Sequence, residues 1–197
     1  MGGDYSGRMA RRGAYAKGVA KREEILEAAL GVVADRGYGK ASVREIADAA
    51  GLSAAGLLHY FGSKEELFVA ILAARDARDT REHEGQSFTE TFLDVVRHNA
   101  AVPGLVRLYA RLAADAADPE HPAHDFFLAR TAALEGPARE AVVAAQEAGD
   151  IRADVSPEWV MRVLHATADG LQSAWMLDHS IDMAADLEEL LRVLRPA

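Results

Sequence analysis

Small side chains occupy one short stretch of this sequence, Ser53-Ala54-Ala55-Gly56, directly after the turn at residues 50–52. Serine in this position can cap a helix, and the small residues that follow leave the first helical turn without bulk. The N-terminus of such a helix presents free backbone N–H groups and a partial positive charge. The stretch can therefore lie close to a phosphate backbone, or enter the major groove of a DNA duplex.

Two short helices joined by a turn would position this stretch. Ser42 and Glu45 form a Ser-x-x-Glu capping box that starts the first helix, and Gly51 ends it. The second helix begins after Ser53 and is broken by Gly62. Two short helices linked through a glycine-containing turn are typical of a helix-turn-helix motif.

Helical spacing of apolar residues continues on both sides of the motif, and no strand pattern occurs. It predicts a helix from Val19 to Arg36 and another from Ser63 to about Arg78. Five further helices are predicted, with a kink or break at Gly136-Pro137, over residues 88–101, 104–116, 121–148, 156–178 and 182–195. We expect an all-α chain of about nine helices. It would comprise a flexible basic arm (1–18), a DNA-binding domain (19–65) and a helical domain (66–197).

The charge of the chain is unevenly distributed. The net charge is −9, yet Met1–Lys64 carries ten Lys and Arg against seven Asp and Glu. A duplex would attract this segment and repel the acidic remainder. No apolar run reaches the roughly 20 residues of a membrane span, and no apolar leader follows the basic start, so we expect a cytoplasmic protein. The absence of cysteine excludes disulfides, thiolate zinc sites and a cysteine nucleophile.

Residues 21–72 resemble the TetR family of bacterial repressors. The resemblance is carried by residues 42–47 (SVREIA), 50–53 (AGLS), 57–61 (LLHYF) and 63–67 (SKEEL). It implies an N-terminal three-helix DNA-binding domain and a C-terminal helical domain for effector binding and dimerisation. The DNA-binding residues that it implies are Ser42, Arg44, Ser53, Ala54, Ala55, Gly56, His59, Tyr60 and Lys64.

The resemblance also implies a role for each of these residues. Ser42 would meet phosphate while capping its helix, and Arg44 would reach the backbone or a base edge. Residues 54–56 would lie against base edges, and His59, Tyr60 and Lys64 would hold phosphates.

This sequence departs from the common family pattern at Ala54, Gly56 and Leu58, where Lys, Thr and Tyr are frequent. The first turn of the second helix therefore offers few side-chain hydrogen bonds to base edges. We expect more weight on Arg44, on contacts with thymine methyl groups and on DNA shape.

The last two predicted helices are candidates for a subunit interface. Ala166, Gly170 and Ala174 form a smooth ridge, and the final helix carries a leucine stripe. The resemblance implies a homodimer through these helices and a near-palindromic DNA operator. The alternative is that both stripes pack inside one subunit.

The middle helices would enclose an effector of unknown identity. Such a site needs mostly apolar walls and a few placed polar groups. The alternative for each apolar residue is ordinary core packing. The candidate ligand-binding residues are Phe92, Val96, Asn99, Arg107, Tyr109, Phe126, Phe127, Arg130, His165 and Asp169.

Catalytic and metal sites find little support in the sequence. His121, His124 and Asp125 are close enough in sequence to be metal ligands. Pro122 instead favours a loop and a helix start, where exposed His and Asp are ordinary. We expect no enzyme activity, no cofactor and no metal. The sequence predicts a repressor that an effector releases from its operator. The alternatives are a DNA-binding regulator without an effector, or a helical enzyme or carrier that retains a helix-turn-helix.

Overall fold

A computed structural model describes the backbone of residues 5–37, 40–82 and 87–196, without the side chains of residues 5–16 and 88. These residues form nine helices and no strand, which confirms the predicted all-α class. The helices are α1 (Tyr5–Arg36), α2 (Val43–Ala49), α3 (Ala54–Phe61), α4 (Lys64–Glu82), α5 (Phe88–Ala101), α6 (Pro103–Asp115), α7 (Ala123–Ala148), α8 (Pro157–Leu177) and α9 (Met183–Val193).

The caps of α2 and α3 are those predicted from the sequence. The Oγ atom of Ser42 accepts from the Glu45 N–H at 3.1 Å, and the Glu45 carboxylate accepts from the Ser42 N–H at 3.0 Å. The Oγ atom of Ser53 accepts from the Gly56 N–H at 3.0 Å. Each cap satisfies backbone donors that a helix start leaves unpaired, so both helices begin where the serines stand.

The predicted flexible arm is wrong for residues 5–18, because α1 begins at Tyr5 and not at Val19. Arg, Ala, Met and Lys dominate this stretch and are good helix formers, so they offset the cost of its glycines. Residues 1–4 of the predicted arm, and its side chains through residue 16, lie outside the described residues.

The predicted break at Gly136-Pro137 does not occur, since α7 runs without interruption through Pro137. Proline removes one backbone hydrogen bond of the helix and leaves a carbonyl group unpaired. Residues 131–137 are exposed, so water can pair with that carbonyl and the helix tolerates the proline.

Two apolar cores hold the molecule together. The first joins α1, α2 and α3 to α4, α6 and the start of α7, with Ile25, Ile46, Leu57 and Phe68 at its centre. The second is formed by α5 to α9. Helix α6 contributes to both cores. It therefore connects α1–α3, the predicted DNA-binding part, to the rest of the chain, which we call the body (α4–α9). No helix in the described ranges is both long and apolar enough to cross a membrane.

The start of α6 lies directly against the end of α1. A Cβ atom at Gly104 would stand 1.9 Å from the carbonyl oxygen of Val33 and 2.8 Å from that of Ala34. Only glycine allows this approach of two backbones. The chain then leaves α1 through Gly37, whose φ of +74° suits glycine and whose N–H donates to the Val33 carbonyl at 2.9 Å.

Candidate DNA interface and effector site

The first turn of α3 has a bare outer surface. Ala54 and Ala55 are exposed and Gly56 is half-buried, so no side chain extends beyond Cβ in this turn. Leu57 and Phe61, on the opposite side of the helix, are buried in the first core. The helix is thus fixed by its apolar side and presents a smooth N-terminus to solvent.

Helix α2 supports α3 and exposes Arg44 next to its own N-terminus. The hydroxyl of Ser42 is exposed, but it already donates to the Glu45 carboxylate at 3.0 Å. Hydrogen bonding from Ser42 lowers the pKa of Glu45, so this acceptor stays charged. The contact of Ser42 with phosphate remains a prediction, and it requires the hydroxyl to turn away from Glu45.

The residues predicted to hold phosphates follow the bare turn and are exposed. His59 and Tyr60 end α3 side by side, with their rings edge-on at 6.2 Å. Lys64 begins α4, and its Nζ atom lies 5.6 Å above the ring of Phe68. Arg22 stacks on Phe61 with its Cζ atom 4.6 Å from the ring centre. It was not among the residues predicted from the sequence. The cations and hydroxyls thus surround the same end of the molecule.

A polar cluster lies between helices of the body around the buried Tyr109 of α6, and it extends from the buried Arg75 to the exposed Asp169. The Tyr109 hydroxyl donates to Asp169 Oδ2 of α8 at 3.3 Å. The guanidinium groups of Arg75 (α4) and Arg130 (α7) lie with their Cζ atoms 5.6 and 5.4 Å from the centre of its ring. Asp76 links the two arginines, accepting from Arg75 Nη2 at 3.1 Å and from Arg130 Nε at 2.6 Å. We call these five residues the Tyr109 cluster.

Desolvation changes the acidity of groups in and beside the Tyr109 cluster. Burial, and next the charge of Asp169, raises the pKa of Tyr109 to about 12. Desolvation also raises the pKa of Asp169, and that of Asp79 one turn after Arg75. Burial, followed by the charge of Arg130, lowers the pKa of His165. These shifts favour neutral forms of all four side chains.

Two buried side chains, Arg75 beside Tyr109 and Gln172 on α8, have polar atoms without hydrogen-bond partners among the described residues. Arg75 is 5% exposed, and its Nε and Nη1 atoms have none. The Nε atom lies 3.5 Å from Asp79 Oδ2, which is an ion-pair distance without hydrogen-bond geometry. The Oε1 atom of Gln172, 7% exposed on α8, is also unpaired. Such atoms are uncommon in folded proteins and mark places where a ligand or water can bind.

Most of the predicted ligand-binding residues lie in or near the Tyr109 cluster. The ring of Phe127 meets that of Tyr109 at 5.5 Å and that of Phe126 at 5.3 Å. The rings of Phe92 and His165 meet at 6.3 Å. Val96 and Asn99 are buried on α5. Their role in binding remains a prediction.

Arg107, another predicted ligand-binding residue, lies apart from the cluster, and its role in binding remains a prediction. It is exposed, and its Nη1 atom is 3.8 Å from the position that a Cβ atom would take at Gly37. Two residues along a helix are about 200° apart around its axis, so Arg107 and Tyr109 point to opposite sides of α6.

Arg75, Asp76 and Asp79 were not among the residues predicted from the sequence. A signal for two of them was present. Arg75 and Asp79 continue, at helical spacing, the apolar face of α4 that begins with Phe68 and Leu72. A charged pair on an otherwise apolar helical face indicates a buried polar site.

A wide groove of about 1170 Å³ runs between α1, α4 and the start of α7. Arg22, Leu26, Ala73 and Arg78 are among the residues that line it, whereas Tyr109, Arg75 and Arg130 are not. The groove is open to solvent and charged side chains line it, whereas the Tyr109 cluster holds buried polar atoms without hydrogen-bond partners. We therefore place the candidate effector site at the cluster.

The histidines weighed as metal ligands serve the local backbone. His121 Nδ1 accepts from the Ala123 N–H at 3.1 Å, and His124 Nδ1 lies 2.9 Å from the Ala116 carbonyl oxygen. Within the described ranges, no group of three or more His, Asp or Glu side chains is arranged to hold a metal ion.

The small-residue ridge of α8 is free in the single chain. Ala166 and Gly170 are exposed, and Leu177 at the end of the helix is 92% exposed. The leucine stripe of α9 differs, because Leu187 and Leu191 are buried in the second core of the same chain. The predicted interface thus retains the α8 ridge, while these two leucines are intrachain core.

Comparison with known proteins agrees with this arrangement. The model of the tetR family of bacterial regulatory proteins matches residues 25–71, which extend from the middle of α1 into α4. The segment of residues 25–71 therefore belongs to the TetR family. The matched segment contains the bare turn, both serine caps and the residues that follow α3.

Named relatives resemble part of the chain. The transcriptional repressor AcnR of Corynebacterium efficiens is 48% identical over 61 residues, which are 31% of this chain and 32% of AcnR. The chain thus matches about a third of the length of this curated relative.

Solved structures resemble the whole fold. A TetR-family regulator from Rhodococcus sp. has a TM-score of 0.68 at 23% identity, over 89% of this chain and 98% of that one. The regulator FadR from Bacillus subtilis, in complex with stearoyl-CoA, has a TM-score of 0.62 at 18% identity, over 87% and 96%. At these identities the likeness shows the fold alone.

Proposed function

We propose that this chain is a DNA-binding regulator of transcription of the TetR family, and that it represses the genes next to its operator. The observation that carries the proposal is the bare first turn of α3. Ala54, Ala55 and Gly56 allow the backbone of a capped helix to lie against base edges. Arg44, His59, Tyr60 and Lys64 stand exposed around it, where they would contact phosphates and fix the orientation of the helix. The named relatives are transcriptional regulators and not enzymes, and we infer no catalytic role for this chain.

Charge supports this assignment. The segment up to Lys64 has more basic than acidic residues, whereas the rest of the chain is strongly acidic. A duplex would therefore be drawn to the end of the molecule that exposes α3 and be repelled by the body. This arrangement orients the protein before any specific contact forms.

The regulator would act as a homodimer. The ridge of Ala166 and Gly170 on α8 lets a second helix approach closely, and the exposed Leu177 would lose its contact with water in the interface. Two copies related by a two-fold axis would place two α3 helices in successive major grooves, about 34–36 Å apart. The operator would then be a near-palindrome.

A small effector bound at the Tyr109 cluster would release the DNA. The cluster joins side chains of α4, α6, α7 and α8, and α6 also contacts α1 through Gly104. An effector that binds one arrangement of these helices more tightly shifts the dimer toward it, by no more than the difference in its affinities. The FadR structure with stearoyl-CoA is an example of this fold with a bound small molecule.

DNA binding can be tested with genomic fragments captured by the purified chain, followed by anisotropy titrations on the enriched sequence. Lys64→Ala should weaken binding to all sequences alike and reduce the slope of log affinity against log salt by about one. The matched control is Arg111→Ala, an exposed basic residue of the body at which we expect no change. The proposed docking is wrong if Lys64→Ala leaves both affinity and slope unchanged.

A further inference from the structure

We propose that the Tyr109 cluster recognises an anionic oxygen group of the effector, a carboxylate or a phosphate, through Arg75 and Arg130. This inference rests on the proposed function, since it names the chemical class of the ligand at the site proposed above. Four observations support it: the convergence of the two guanidinium groups, their unpaired donors, the local charge and the aromatic surroundings.

The guanidinium groups of Arg75 and Arg130 converge although they come from α4 and α7. Each lies near the ring of Tyr109, at 5.6 and 5.4 Å from its centre. Each also bonds one oxygen of the same carboxylate, that of Asp76. Two cations held by one carboxylate and one aromatic ring form a preorganised fork for a second anion.

The donors of this fork are not used up within the protein. Arg75 Nη1 is buried and has no hydrogen-bond partner, and Arg75 Nε only approaches Asp79 at 3.5 Å. Among the described residues, the hydrogen bond from Nε to Asp76 is the only one found for the Arg130 guanidinium. A buried cationic donor without a partner is costly, and a ligand oxygen between the two arginines would remove that cost.

The local charge admits an anion when two nearby carboxyls take up protons. Arg75 and Arg130 carry two positive charges, and Asp76 pairs with both of them. Burial raises the pKa of the other two nearby carboxyls, Asp79 and Asp169, and a bound anion would raise it further. With both carboxyls protonated, a bound carboxylate or phosphate would balance the remaining positive charge.

The surroundings indicate what is attached to the anionic group. Phe127 packs edge-on against Tyr109 and is followed by Phe126, so the wall beside the fork is aromatic. The unpaired Oε1 atom of Gln172 lies on α8, three residues after Asp169, and can accept from a hydroxyl or amide of the ligand. The ligand class is therefore an acid with an apolar body.

The test uses the full chain and three probes that share one apolar chain: hexanoate, hexyl phosphate and hexanol. Binding is followed by thermal shift and by the ¹H–¹⁵N resonances of the arginine Nε–Hε groups. We expect an acid probe to bind at least about tenfold more tightly than hexanol and to shift the Arg75 resonance. Whichever acid binds more tightly separates a carboxylate ligand from a phosphate ligand.

Variants locate the binding. Arg75→Lys and Arg130→Lys keep the charge but lose the planar fork, and each should weaken the acid probe by about tenfold. Arg78→Lys is the matched control, since Arg78 is an exposed arginine one turn further along α4 whose partners are Glu82 and Glu27. It should bind the acid as the wild type does.

The inference is overturned if neither acid binds, if hexanol binds as tightly as the acids, or if both lysine variants bind the acids like the wild type. Operator affinity, measured in parallel, keeps the two proposals apart. Acid binding at Arg75 that leaves operator affinity unchanged supports the anion site and contradicts release by an effector. Loss of operator affinity on adding hexanol alone supports an effector and contradicts its anionic character.

Discussion

The DNA-binding part and the body bury different kinds of side chain. Among the described residues, the buried side chains of α1, α2 and α3 are all apolar, whereas the body also buries Arg75, Asn99 and Gln172. The first arrangement gives a rigid scaffold whose polar groups face outward, where DNA would lie. In the body, burying polar groups lowers stability. Proteins bury polar groups at such a cost mainly at binding sites.

The largest expected effect concerns the apolar core of the DNA-binding part. Leu57→Ala removes a fully buried side chain of α3 and should lower the free energy of unfolding by about 2–5 kcal/mol, because it leaves a cavity in the first core. Urea denaturation measures the loss. Leu58→Ala, at the half-buried neighbouring position, is the control and should cost less. Equal losses would show that α3 is not held by its inner side.

The polar network in the body can be disrupted at Asp76. Asp76→Asn leaves Arg75 and Arg130 without their shared carboxylate and should cost about 1–3 kcal/mol of unfolding free energy. The control is Asp94→Asn, which removes a largely exposed ion pair with Arg97 and should cost about 0–1 kcal/mol. Denaturant midpoints that fall equally for both variants would contradict a buried network around Tyr109.

The serine caps allow a sharper test of the DNA-binding part. Ser53→Ala removes the acceptor for the Gly56 N–H and should cost about 1 kcal/mol, with a parallel loss of operator affinity as the start of α3 frays. Thr80→Ala is the control, because that exposed hydroxyl bonds the Asp76 carbonyl within α4 and caps no helix. Retention of full operator affinity by Ser53→Ala would argue that the start of α3 does not face the DNA.

The smallest effect concerns pH and the body. Burial, and then Arg130, lowers the pKa of His165 below its usual 6.5, so the folded state binds fewer protons than the unfolded state just below that pH. Stability should therefore be fully present above pH 6.5 and be lost as pH falls through the lowered pKa. The loss amounts to about 1.4 kcal/mol for each pKa unit.

The substitution His165→Gln should remove this dependence. The difference in unfolding free energy between wild type and variant, measured at several pH values below 6.5, cancels the contribution of other groups. Parallel curves would contradict the expected shift. An NMR titration of the His165 ring protons reports the same pKa directly.

The sequence predicted the DNA-binding part in detail because its signals are local. The capping box of Ser42 depends on Glu45, three residues away, and the Ser53 cap depends on Gly56. The start of α1 was missed because residues 5–18 contain three glycines and no apolar period.

The body was less predictable for a different reason. The Tyr109 hydroxyl meets Asp169, sixty residues further along the chain, only because α6 packs against α8. Which side of α6 faces inward follows from that packing, and it leaves Arg107 exposed while Tyr109 is buried. Arg75 was overlooked because charged residues on helices are usually at the surface.

The backbone contact at Gly104 has a consequence for protein engineering. Chimeric regulators are made by joining the DNA-binding part of one protein to the sensing part of another. In this chain such a junction would separate Val33 from Gly104, whose backbones touch without room for a methyl group. A recipient sensor with any other residue at this position would be pushed away from α1, so a working chimera must inherit this glycine together with the new DNA specificity.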